Sequence, residues 1–88
     1  MALTHAEPRR IVNDPGVLHA EPILEGTRIP VRTVVLLMRL YGNVSAVGRE
    51  LPSLTAQDID TALAYYDTHP REIEDWIAFD AADDADPL

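Results

Sequence analysis

Gly26-Thr27-Arg28-Ile29-Pro30-Val31 divides the chain into two kinds of sequence. Gly26 admits a backbone geometry that other residues resist. Pro30 fixes its own φ and pushes Ile29 toward extended conformation. The spacing predicts that Thr27–Ile29 is the last extended piece and that a helix starts directly after it. Arg28 and Arg32 flank this joint.

Upstream of the joint the sequence reads as short strands and turns. Arg10-Ile11-Val12 has β-branched character, and Asn13-Asp14-Pro15-Gly16 joins four turn-favouring residues. Val17-Leu18-His19 reads as a short return strand, interrupted by Ala20-Glu21-Pro22, and Ile23-Leu24-Glu25 resumes extended character. Pro22 cannot donate to a ladder, so a strand here lies at an edge or begins after it. Two-stranded units are marginal alone, so this region is expected to lie on the helices or to pair with a second copy of itself. Residues 1–9, with Pro8, read as a flexible arm.

Downstream, a first helix over 31–41 is apolar on nearly all sides, which marks a helix that is central or faces both the domain and a partner. Gly42 is placed to end it. Ser45 is expected to cap a second helix over 46–51, weakened by Gly48 and stopped by Pro52. Thr55-Ala56-Gln57-Asp58 resembles a capping box and opens a third helix over 56–68, with Ile59, Ala62, Leu63 and Tyr66 on its inward stripe. Pro70 suits the first position of a fourth helix, whose apolar face is Ile73, Trp76 and Ile77. From Asp80 to Leu88 the sequence reads as an acidic, disordered tail. The expected fold is therefore α+β and mainly α: a short N-terminal β-element, then a helix-turn-helix unit of three to four helices over residues 10–79.

Eighty-eight residues make one domain with a thin core. Small cores need a staple, a metal or a partner chain. Cysteine is absent, which excludes disulfides and thiolate metal sites and fits a reducing cytoplasm. No apolar run approaches the roughly 20 residues that span a bilayer, and the N-terminus lacks the pattern of a signal peptide. Association with another chain, a second copy included, is the remaining source of stability. The net charge of −8 is uneven: residues 1–54 hold six Arg against five acids, and residues 55–88 hold Arg71 against ten.

Little in the chain points to catalysis. His5, His19 and His69 are isolated, and His19 with Glu21 gives two ligand types where a metal needs three or four. The Glu72/Asp75 pair sits on a solvated face, and the serines and threonines fit caps and turns better than nucleophiles. No enzyme, metal or cofactor is expected. The three-helix layout matches DNA-binding helix-turn-helix units, and Gln57 and Thr61 on the third helix could read base edges. That helix has no Arg or Lys and carries three Asp, which repels a phosphate backbone. Arg9, Arg10, Arg28 and Arg32 are the alternative DNA-binding candidates, as a positive patch across two paired copies; pairing with Glu7, Glu21 and Glu25 would remove them from that role.

Five runs carry a resemblance: Arg10–Pro15, Pro22–Val31, Leu40–Ser45, Leu51–Ile59 and Ala62–Tyr66. In this order the chain resembles the domain of unknown function 433 family over about residues 10–69. The Gly-Thr-Arg-Ile-Pro-Val and Pro-x-Leu-Thr-x-x-Asp-Ile runs together make the match specific. Members are small prokaryotic proteins with an N-terminal β-element and a homeodomain-like helical unit. Many are regarded as antitoxins, similar to VapB-type proteins, beside toxins with a PIN-like nuclease domain. The resemblance implies two roles: silencing a nuclease partner, and binding operator DNA for autoregulation. It supplies no catalytic residues. Where the family often has Gly and a basic residue before Pro22, this chain has Ala20 and Glu21, which weakens the DNA role more than the partner role.

The leading expectation is thus an antitoxin-like binding protein that neutralises a PIN-like nuclease, with Ile73, Trp76 and Ile77 as the partner-facing segment. The alternatives are a homodimeric DNA-binding repressor, paired through the β-element and the first helix, and a homo-oligomeric module that binds no nucleic acid.

Overall fold

The computed structural model describes residues 9–85, with the backbone alone for 82–85. The first eight residues of the expected arm and the last three of the expected tail lie outside the described residues. Strands β1 (Ile11–Asn13) and β2 (Pro22–Leu24) form an antiparallel pair, followed by helices α1 (Val31–Tyr41), α2 (Val44–Glu50), α3 (Ala56–Thr68) and α4 (Pro70–Ala85). The fold is mainly α with a small β-element, as the sequence implies.

The register sets Ile11 against Leu24, Val12 against Ile23 and Asn13 against Pro22. Pro22 opens β2, a position where its missing N–H does no harm. Past β2 the chain makes a tight turn. Thr27 N–H donates to the Leu24 carbonyl at 3.0 Å, and Gly26 takes φ +79, a value suited to the third position of a type II turn. The Thr27 hydroxyl donates to the same carbonyl at 2.7 Å and accepts the Ile29 N–H at 3.0 Å. Thr27 therefore belongs to the turn, not to the extended piece. Only Ile29–Pro30 returns along β2, where Leu24 N–H meets the Ile29 carbonyl at 2.9 Å and Ile23 bridges Pro30. The helix then starts at Val31 as the joint predicts.

Between the strands the chain departs from expectation. Leu18, His19 and Ala20 do not form a return strand; all three take positive φ, at 51, 57 and 63. Each left-handed non-glycine residue costs about 1–2 kcal/mol. Local bonds hold the turn: Ala20 N–H to the Val17 carbonyl at 2.9 Å, Glu21 N–H to the Leu18 carbonyl at 3.0 Å, and Asn13 Nδ2 to the Ala20 carbonyl at 2.8 Å.

Gly42 ends α1 at φ +81, with its N–H on the Met38 carbonyl. The cap of α2 is Asn43, not Ser45: Asn43 Oδ1 accepts the Ala46 N–H at 2.8 Å. The chain leaves Gly42 already extended, so the first capping side chain available takes the role. At α3 the reciprocal capping box is present, with Thr55 and Asp58 exchanging backbone N–H bonds at 3.0 Å each.

Helix α1 is central, touching β2 and all three other helices. The buried core joins Leu24, Val31, Val34, Val35, Val47, Leu54, Ile59, Ala62 and Ile73. Helix α4 does not stop at Phe79. Asp80–Ala85 continue it, so the segment expected to open a disordered tail is helical through residue 85. Its alanines favour helix, and Asp80 is tied to α1 as described below.

Candidate functional site: two arginine joints and the α4 face

The four arginines expected to contact DNA fall into two classes. Arg9 reaches across to the start of α3. Its Nη1 donates to Asp58 Oδ2 at 3.2 Å and to the Ser53 carbonyl at 3.0 Å, and its own N–H meets Asp58 Oδ1 at 3.3 Å. Arg32, in the first turn of α1, has a side chain 14% exposed; its Nε donates to Glu21 Oε2 at 2.8 Å and its Nη1 lies 3.3 Å from Asp80 Oδ2. Arg9 and Arg32 thus join elements inside the molecule. Arg10 is exposed and lies 3.6 Å from Glu25. Arg28 is exposed, with no carboxylate in ion-pair range among the described residues. Glu25 N–H, in the turn just before Arg28, bonds the Arg10 carbonyl at 2.8 Å.

Each buried joint holds a carboxyl, and the two titrate in opposite directions. Burial pushes the Asp58 carboxyl up, but backbone N–H bonds from Thr55 and Arg9, with the Arg9 charge, outweigh it and leave the group below its ordinary value. Burial also pushes Glu21 up; the Arg32 bond and charge oppose this, Asp80 adds to it, and the group ends above its ordinary value. His19 and Glu21 do not share a strand face for a metal. The left-handed turn separates them, Glu21 faces Arg32, and among the described residues no three His, Asp or Glu side chains converge.

The outward side of α3 offers little to a phosphate backbone. Gln57, Asp60, Ala64 and Asp67 are exposed, while the Thr61 hydroxyl is tied back to the Gln57 carbonyl at 2.9 Å. Strand β1 flanks this side, leaving an open groove of about 580 Å³ with Arg9, Arg10 and Ile11 on one wall and Thr61, Ala64, Tyr65 and Thr68 on the other.

Helix α4 carries the partner-facing candidates, and they part company. Ile73 is 1% exposed and belongs to the core, so it cannot meet a partner. It is buried because α4 packs onto α1 and α3, a tertiary fact that helical spacing alone does not reveal. Ile77 is half-buried against the same core. Trp76 is half-buried and points to the other side, where it meets Phe79. Phe79, which sequence reasoning passed over, is 54% exposed; its i+3 spacing from Trp76 was the signal available. Further large apolar side chains are exposed on α1: Leu36, Leu40 at 70%, and Tyr41. Helices α3 and α4 are locked by Tyr65, whose hydroxyl donates to Glu72 at 2.6 Å; burial and that carboxylate push the phenol up to about 12. Arg39 and Tyr66 meet Glu74 on the same seam.

A family model described as a protein of unknown function, DUF433, matches residues 11–66. No curated protein matches. A crystal structure of a DUF433 member protein from Anabaena variabilis is similar, with a TM-score of 0.72 and 33% identity over 80% of this chain and 69% of that one. The matched span takes in both strands, the Gly26–Val31 joint and the capping box of α3, and the chain belongs to the DUF433 family.

Proposed function

We propose that this protein acts by binding another protein, in the manner of an antitoxin that silences a PIN-like nuclease. One observation carries the reading: large apolar side chains stand exposed on α1 and α4 beside an acidic helix, while Arg9 and Arg32 are engaged inside the molecule. Exposed apolar groups rimmed by charge mark protein contact surfaces. A nuclease presents a cationic surface to its nucleic acid, and the acidic α4 complements such a surface. The nuclease itself enters through the family resemblance. Co-expression with a small PIN-like nuclease encoded beside this chain tests the reading. A single co-eluting complex with suppressed RNA cleavage is expected; separate elution with full cleavage would refute it.

A second reading, a DNA-binding homodimer, draws on the exposed Arg10 and Arg28. It requires DNA affinity that falls steeply with salt and is weakened by replacing both arginines with Ala.

A further inference from the structure

His19, Asp75, Trp76 and Phe79 line an open cleft of about 390 Å³ where the left-handed turn meets α4. Phe79 stands edge-to-face with both aromatic neighbours, its centroid 5.7 Å from Trp76 at 89° and 5.9 Å from His19 at 83°. Trp76 has one aromatic contact among the described residues and Phe79 is 54% exposed, so aromatic surface stays open in the cleft. Asp75 is exposed and has no hydrogen-bond or ion-pair partner among the described residues. No Arg or Lys lines the cleft, and Arg32 nearby is held by Glu21 and Asp80. Open aromatic faces beside a free carboxylate are complementary to a cation that is flat and forked.

We propose that this cleft receives an arginine side chain from a basic segment of a protein partner, an inference that rests on the protein-binding reading above. The guanidinium would stack on the Trp76 or Phe79 ring and donate to the Asp75 carboxylate. Arginine is favoured over lysine because its planar group does both at once.

Trp76 is the chain's only tryptophan, so its emission reports on the cleft directly. The full chain is titrated with a capped peptide of alternating Arg and Gly, and with the same peptide carrying citrulline, which keeps the shape and loses the charge. A saturable emission change with the Arg peptide is expected, with the citrulline peptide about tenfold weaker. By calorimetry, Asp75→Asn should weaken binding about fivefold and Trp76→Leu about tenfold, since Leu keeps an apolar side chain but not the ring. Equal binding of the two peptides, no response at millimolar peptide, or unchanged binding by Asp75→Asn would overturn the proposal. A double variant, Asp75→Asn with Phe79→Ala, separates it from the reading it rests on. If that variant still captures the nuclease at full affinity, the cleft fails and protein binding stands. If the Arg peptide binds as described but no nuclease is captured, the cleft stands and the nuclease assignment falls.

Discussion

Asp58 and Glu21 are each 3% exposed and each faces an arginine, yet Asp58 is held below its ordinary value and Glu21 above it. The difference lies in the donors. Asp58 receives fixed backbone N–H groups from Thr55 and Arg9 as well as the guanidinium. Glu21 has one guanidinium, which it shares with Asp80. Preorganised backbone dipoles stabilise a buried charge without competing for it, whereas a shared cation does not offset the desolvation. One joint is a helix cap strengthened by an arginine. The other ties three elements through an arginine under strain of charge.

The largest break in that comparison comes from Arg32. Arg32→Met leaves Glu21 buried without a partner and should destabilise by about 3 kcal/mol in denaturant melts. The pair Arg32→Met with Glu21→Met should recover most of that loss, since no charge is then buried. A lone Arg32 variant with unchanged stability would show that Glu21 escapes to solvent.

Asp58→Ala should cost about 2 kcal/mol, removing both the capping acceptor and the Arg9 pair. The two carboxyls also predict opposite pH slopes. Asp58, depressed on folding, contributes stability that is present above its ordinary value of 3.8 and lost as pH falls through its lower folded value. Glu21, raised on folding, contributes stability fully present below its ordinary 4.5 and lost as pH rises through its higher folded value. In stability measured against pH, Asp58→Asn should flatten the acid limb and Glu21→Gln the decline above about pH 4.5. Identical slopes for the two variants would contradict the contrast in donors.

The smallest effect is in the backbone. The approach to Glu21 runs through three left-handed residues, while Thr55 before α3 has ordinary extended geometry. Ala20→Gly should therefore stabilise by about 0.5 kcal/mol, relief of strain offsetting the added chain entropy. Thermal melts that fall instead would place the strain elsewhere.

How much of this was legible in the sequence follows the same division. The capping box needs residues three apart and was read correctly, as were the bounds of α1, set by Pro30 and Gly42. The left-handed turn carries no glycine between Val17 and Glu21 to announce it. The partners of Arg9 and Arg32 lie 49, 11 and 48 residues away, beyond any local pattern. Ile73 and Trp76 share one expected apolar face, and only the docking of α4 sends the first into the core and the second to the surface. Asp80 looked like the start of a tail because its cation is on another helix.

The Arg9–Asp58 contact also bears on how the chain acquires its structure. It closes a loop of 49 residues, and closing a loop that long is entropically unfavourable until the elements between are formed. Helices α1 to α3 are built from nearer contacts and have no such requirement. The segment carrying Arg9 is thus expected to dock on α3 last, completing the cap of a helix that is already there. In stopped-flow refolding, Arg9→Ala should then speed unfolding and leave the folding rate nearly unchanged.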